Sequence, residues 1–342
     1  MPRDLTDPAQ GPHAVQLVLA EILAAAPASA EPRVIRHHPD VSVEDNYTNL
    51  GYPPDAITRD ARYTRYTTEG RMLRSHTSAM IPPALRELGT QEWDDVLLAC
   101  VGMVYRRDAV DRVHSGTPHQ LDLWRISRHR ADLDELIDAV VTAAVPGARY
   151  RTTPAEHPYT EQGRQVDVLV DGEWLEVAEC GLAARHVLRR AWLPDDVHGL
   201  ALGVGLDRLL MLRKGIPDIR LLSSDDPRVV AQLRDLTPYR AVSKHPPISR
   251  DVSVAVRPEQ DAETIGDTVR ATVGDLVEEV VVLDETPVDA LPPAAVARLG
   301  ARSGQKNVLL RLVLRHPTRT LTDAEANAAR DAVYAAVHEG AQ

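Results

Sequence analysis

The stretch Glu92 to Tyr105 (EWDDVLLACVGMVY) restricts the fold more than any other: an apolar run that stops abruptly at Arg106-Arg107-Asp108. A largely apolar run of this kind reads as a strand buried in a sheet, delivering polar groups to a cleft at its end. Leu121 to Ser127 reads as its return strand, making a hairpin with a loop of about a dozen residues.

The flanking periodicities are mixed. Residues 13 to 25 predict an amphipathic helix, and residues 131 to 145 predict another, acidic toward its start as the macrodipole favours and closed by Pro146-Gly147. Gln165 to Leu169 and Trp174 to Val177 alternate like half-buried strands around an Asp171-Gly172 turn. Gly199 to Leu212 reads as a Gly-rich strand running into a helix, whereas the Tyr-rich stretch 46 to 66 has little periodicity. Strands paired as hairpins with helices outside them imply an α+β fold with an antiparallel sheet. After a Pro-bounded linker the order strand, helix, strand, strand, helix predicts a ferredoxin-like plan whose last strand is very short or missing. The expected organisation is a catalytic domain over 1–230, a linker over 231–246 and a second domain over 247–342.

Composition excludes several classes. A net charge of -11 argues against a general nucleic-acid binder, though not against a local basic groove. No apolar run reaches the roughly 20 residues that span a bilayer, and the first 15 residues lack an export pattern, so the expectation is a cytoplasmic protein without membrane contact. Cys100 and Cys180 suit two reduced buried thiols, and no Cys/His spacing suggests structural zinc. There is no phenylalanine at all, against an ordinary expectation of roughly ten.

Two constellations carry chemistry. The first is Tyr105-Arg106-Arg107-Asp108 with His114 and His119-Gln120-Leu121-Asp122; the second is Gly203-Val204-Gly205-Leu206-Asp207-Arg208 leading into a helix. Each alone reads more readily as a charged hairpin tip or a packing turn than as a ligand site. Together, two arginines on separate elements suit the α- and γ-phosphates of a bent ATP, where planar multi-donor contacts neutralise developing charge.

VYRRDAVDRVHSGTPHQLD resembles class II motif 2 in the phenylalanine-tRNA ligase version, and GLALGVGLDRLLMLRKGIPDIR resembles its motif 3. LRSHTSA, HPYTE and EVAECG resemble further segments of that family in its order, and SKHPPISRDVSV and RTLTDAEANAARD resemble the ends of its ferredoxin-fold anticodon-binding domain. The resemblance implies a class II synthetase antiparallel sheet flanked by helices, plus a ferredoxin-like α/β sandwich domain. It implies ATP and Mg²⁺ as cofactors, an amino acid and tRNA as partners, and a monomer or homodimer that needs no β subunit. Arg106 would hold the α-phosphate and carboxylate, Arg208 the γ-phosphate, with Asp108, His114, Pro118 and Asp207 on the ATP side. His76, Ser78, Gln120 and Asp122 would meet the amino acid's polar end. His157, Tyr159, Glu179, Ala201 and Leu202 would surround its side chain, with Ala201 as the floor.

The sequence departs from that family within its ligand sites. His157 and Tyr159 stand for two aromatic rings that sandwich the substrate, Pro118 for the ring that stacks on adenine, Leu202 for a pocket phenylalanine, Ile81 for a glutamine and Glu179 for a glycine. Simple avoidance of phenylalanine accounts for Tyr159 and Leu202. A pocket retuned toward a polar aromatic substrate accounts for His157 and Glu179, because an unpaired buried donor or acceptor costs about 1 to 3 kcal/mol. Two other functions share the same features: an adenylate-forming ligase that loads a small molecule or carrier protein, and a non-catalytic paralogue that binds tRNA or an amino acid. A chain free of phenylalanine is also one whose translation is independent of phenylalanyl-tRNA, which would suit either a backup ligase or the source of an analogue-charged tRNA.

Overall fold

The computed structural model describes residues 2–27, 31–107 and 111–341. It divides into two compact units, 1–240 and 241–342, each with its own hydrophobic core.

In the first unit the apolar run forms the strand Asp95–Met103, buried beyond its first residue. It pairs antiparallel with His119–Ser127, from Asp95 opposite Ser127 to Met103 opposite His119. The full sheet has seven strands in the order Arg33–Ile35, Asp95–Met103, His119–Ser127, His198–Gly205, Glu173–Ala183, Thr160–Val170, Tyr150–Pro154. The short Arg33–Ile35 edge is parallel to its neighbour, and the other pairs are antiparallel. Asp171 and Gly172 both take positive φ, 50° and 87°, as the tight turn of an Asp-Gly hairpin requires.

One face of this sheet, presenting Leu98, Cys100, Trp124 and Ala201, packs under the helices Ile81–Leu88 and Arg185–Arg190. The alternate residues Leu97, Ala99, Leu121 and Leu123 are equally buried, so the opposite face is covered too. The helices Ala14–Ala25, Leu133–Ala144 and Leu206–Lys214 pack against one another. The stretch without periodicity after Asn46 makes turns and a small sheet of Asp40–Ser42, Arg71–Leu73 and Arg65–Tyr66. Polar bonds help to hold it: the Tyr47 hydroxyl donates to the Thr58 carbonyl at 2.7 Å, and Asn46 Nδ2 donates to Ser75 Oγ at 2.9 Å.

The division between units falls after Arg240. Lys214, 1% exposed, donates to the carbonyls of Asp235 and Thr237 at 2.8 and 2.5 Å, which fastens this last segment to the first unit.

The second unit is a three-stranded antiparallel sheet ordered Ile248–Val256, Lys306–Leu314, Val277–Pro287, packed against the helices Ala262–Val273 and Asp323–Val337. The ferredoxin-like order is present, with an added short helix, Pro293–Leu299, between the second and third strands. After the last helix the Glu339 N–H donates to the Ala255 carbonyl at 2.8 Å and the Ala255 N–H to His338 Nδ1 at 3.0 Å. The chain thus begins to pair along Ile248–Val256, where a fourth strand would lie.

Leu85, fully buried under the sheet, tests the first core. Leu85→Ala is expected to cost about 2 to 5 kcal/mol. The urea midpoint followed by tryptophan fluorescence would read it, because Trp93, Trp124, Trp174 and Trp192 all lie in the first unit.

Candidate active site

The strand ends bring polar groups to one cavity of about 220 Å³. Asp122, 4% exposed, points into it from the middle of the His119–Ser127 strand. Its Oδ2 accepts from Thr77 Oγ1 and Ser78 Oγ, both at 2.9 Å, and its Oδ1 accepts from Trp124 Nε1 at 3.3 Å. Burial pushes its pKa up, and these donors oppose that rise.

Arg106 reaches the cavity from just beyond the apolar strand. Its Nε donates to the Ser75 carbonyl at 3.0 Å, and no described residue accepts from its two terminal nitrogens. Arg208 begins the helix after Gly205, and its Nη1 donates to the Glu176 carbonyl at 2.5 Å. Burial first, and to a lesser degree the charge of Arg106, lower the Arg208 pKa. Both guanidiniums line the same cavity and present planar sets of donors of the kind that suit an anion. Glu176 also lines the cavity; burial and then the nearby Glu179 raise its pKa.

His119 and Asp207 form the wall between these groups. The His119 N–H donates to Asp207 Oδ2 at 2.9 Å and its Nδ1 to Oδ1 at 2.8 Å, while Nε2 accepts the Leu5 N–H at 3.0 Å. The Leu5 bond puts the ring proton on Nδ1. Asp207 was expected on the ATP side; it lines the cavity, but both of its oxygens are engaged by His119.

Aromatic rings make the remaining wall. His76 stacks on Tyr52, centroids 5.7 Å apart, and meets the edge of Tyr47. Burial, then the charge of Arg106, lower its pKa to about 3, so the ring is neutral at physiological pH. Asn46 Nδ2 lies 3.5 Å from His76 Nε2, and Nδ1 is buried with no hydrogen-bond partner placed among the described residues. His157 stacks on Tyr159 at 5.8 Å, and its Nε2 lies 3.1 Å from Glu179 Oε1. The hydrogen bond between them raises the His157 pKa and lowers that of Glu179.

The structure therefore gathers His76, Ser78, Arg106, His114, Pro118, Gln120, Asp122, Tyr159, Glu179, Asp207 and Arg208 around one cavity. His114 is held there by Asp111, 2.9 Å from its Nδ1. His157 stands behind Glu179 and does not line the cavity. Ala201 is not its floor: it lies in the core against which Tyr159 packs, and Gly203 to Gly205 line the cavity on that strand. Leu202 is buried on the opposite face by the alternation of the strand. Asp108 lies outside the described residues. Tyr52 and Glu176 line the cavity without having been expected there. Tyr52 sits in a stretch with no periodicity to place it. Glu176 is turned inward by a bulge, since Glu176 pairs with Asp167 and Ala178 with Val166, leaving Val177 as an extra residue.

Residues 32–233 match the family described as tRNA synthetases class II core domain (F), and residues 243–342 match the ferredoxin-fold anticodon binding domain. The chain belongs to the class II tRNA synthetases. It is thereby an aminoacyl-tRNA ligase, and ATP is the substrate that this family shares. It is 27% identical to a probable mitochondrial phenylalanine–tRNA ligase of Drosophila melanogaster, over 85% of this chain and 74% of that protein. It is 28% identical to a chloroplastic/mitochondrial phenylalanine–tRNA ligase of Arabidopsis thaliana, over 84% and 67%. The phenylalanine–tRNA ligase alpha subunit of Nostoc punctiforme is 34% identical, over 55% of this chain and 56% of the subunit. The expectation of a cytoplasmic location is overturned here, because the relatives matched over most of the chain carry mitochondrial or chloroplastic/mitochondrial names. Among the described residues no helix is long and apolar enough to cross a membrane, and no group of three or more His, Cys, Asp or Glu is placed to hold a metal ion.

The His157–Glu179 pair gives a pH test. The lowered Glu179 pKa makes its contribution to stability present above about 4.5 and lost as pH falls through the folded value. The raised His157 pKa makes its contribution present below about 6.5 and lost as pH rises through the folded value. In an NMR titration His157 is expected to titrate above 6.5, and Glu179→Gln should bring that value down.

Proposed function

We propose that this chain activates phenylalanine or a polar aromatic analogue with ATP, forming the aminoacyl-adenylate, and transfers the aminoacyl group to tRNA. The observation that carries this reading is the pair of arginines facing a buried carboxylate across one cavity. Asp122 offers an acceptor for the substrate ammonium, and the free terminal nitrogens of Arg106 suit its carboxylate and the α-phosphate. Arg208 suits the γ-phosphate. The substrate carboxylate, already ionised, attacks the α-phosphorus in line and pyrophosphate leaves, so positioning and charge neutralisation supply the acceleration and no general base is required.

A magnesium ion fits this cavity only through few protein ligands, as is usual for Mg²⁺ held largely by phosphates and water. Glu176 is the residue that would hold it. Its carboxyl group makes no hydrogen bond among the described residues, and burial, then the neighbouring Glu179, raise its pKa. The ion would offset phosphate charge.

The match of the second unit to an anticodon-binding family supports tRNA as the acceptor. Its contacts would come from shape and local groups. Residues 239–342 hold 12 basic against 15 acidic side chains. Arg311, Arg315 and Arg319 are each already paired, with Asp251, Glu278 and Glu325.

ATP–pyrophosphate exchange dependent on an aromatic amino acid tests the reading. Arg106→Ala and Arg208→Ala are each expected to lower it by about 10² or more while leaving the circular dichroism unchanged. Arg106→Lys should fail as well, because a point charge cannot reproduce a planar fork. Exchange at the wild-type rate in either alanine variant would overturn the assignment.

A further inference from the structure

Resting on the reading just given, in which Arg208 meets the γ-phosphate, we infer that His119 is a positioning residue for Arg208, and that residues 4–7, a turn outside the cavity, belong to the nucleotide site because they hold His119 in place.

The helix that carries Arg208 starts without a cap of its own. Its N-cap is Gly205, which has no side chain to accept from the free N–H groups of the first turn. Arg208 stands in that first turn, where helices fray. Asp207 is the anchor instead. It is 4% exposed, and both of its oxygens are taken by His119, one by the main-chain N–H at 2.9 Å and one by Nδ1 at 2.8 Å. The ring bond is only as firm as the ring's orientation, and that is set by what the other nitrogen meets.

Residues 4–7 supply that contact. The Asp7 N–H donates to the Asp4 carbonyl at 3.2 Å and closes a turn, whose second residue, Leu5, presents its N–H to His119 Nε2 at 3.0 Å. Asp4 braces the turn from within. Its Oδ1 accepts from the Thr6 N–H at 2.9 Å and from Thr6 Oγ1 at 2.7 Å, and its Oδ2 from the Met103 N–H at 3.2 Å. Thr6 is fully buried, and Arg36 donates to its hydroxyl and to its carbonyl, both at 2.8 Å. The grip on His119 survives a charge on the ring. Burial disfavours the charged form, but Asp207, then Asp4 and a hydrogen bond to the Arg3 main chain, raise the pKa. A proton on Nε2 would therefore exchange the Leu5 donor for acceptors in the same segment, Asp4 Oδ1 lying 3.9 Å away. His119 and Asp207 line the cavity, whereas residues 4–7 do not. The turn thus acts on the nucleotide only through the ring, the carboxylate and the first turn of the helix. Such support matters because a misplacement of about 1 Å can cost about 10²-fold.

Equilibrium binding of ATP and of AMP separates this role from a merely structural one, because AMP lacks the γ-phosphate. Leu5→Pro removes the N–H at a turn position that suits proline, since neither Leu5 nor Thr6 takes a positive φ. Asp4→Ala loosens the turn without adding bulk and supplies the comparison should Leu5→Pro fail to fold. Leu5→Ala keeps the N–H and is the control; a circular dichroism melt of each variant confirms folding. The Kd of ATP is expected to rise about tenfold in Leu5→Pro and about threefold in Asp4→Ala, with that of AMP changed by less than about twofold and Leu5→Ala close to wild type. Added to Arg208→Ala, Leu5→Pro should weaken ATP little further, as two changes acting on one contact do. Wild-type ATP affinity in the folded variants, equal weakening of ATP and AMP, or full additivity with Arg208→Ala would overturn this inference and leave the proposed function standing. Wild-type ATP affinity in Arg208→Ala itself would overturn the inference together with the γ-phosphate assignment.

Discussion

A carboxylate in the middle of an apolar sheet is the constraint from which the rest of the site follows. Left alone, a buried charge costs several kcal/mol or more, and it persists only where donors reach it. Asp122 draws three, from Thr77, Ser78 and Trp124. Two of these lie in the turn that enters the Ile81–Leu88 helix, so satisfying the acid also docks that segment on the sheet. The same segment turns His76 toward the cavity and presents the Ser75 carbonyl that orients Arg106. One satisfied charge thereby sets the positions of an acid, a neutral imidazole and a guanidinium.

Charge is sorted across the cavity. Asp122, Glu176 and Glu179 occupy the sheet, whereas Arg106 and Arg208 come from the loop after one strand and the helix after another. Such an arrangement suits a zwitterionic amino acid beside a polyanionic nucleotide, because each charge on the ligands meets its opposite. The His119–Asp207 bond stands between the two halves. Through Leu5 it ties the beginning of the chain to the residue just before Arg208, so packing far from the cavity contributes to where that arginine stands.

Much of this was legible in order and not in space. The apolar run from Glu92, its return strand and the Asp-Gly hairpin read correctly because strand burial and turn chemistry are local properties, written within a few residues. The two arginines line one cavity, as their places at the end of one element and near the start of another led one to expect. Glu176 was invisible: it lies three residues from Glu179, and alternation would set the two on opposite faces unless a bulge intervenes, as it does at Val177. Tyr52 was invisible because hydrogen bonds and not periodicity hold its segment. Asp207 looked available to a ligand because nothing in the sequence reveals that a histidine 88 residues earlier engages both of its oxygens.

By itself the sequence determined the two-part α+β organisation, the antiparallel hairpins and the catalytic family, since these rest on periodicity, on turn residues and on motifs whose members are close together. Only the tertiary structure decided which residues face one another. Strand register placed Asp122, Gly203 and Glu179 in one row, and packing placed Ala201 in the core against which Tyr159 rests and not in the lining of the cavity. The physical reason is that a strand's pattern says which residues share a face, whereas the partner strand and the offset between them arise from the satisfaction of the whole sheet's hydrogen bonds and core at once.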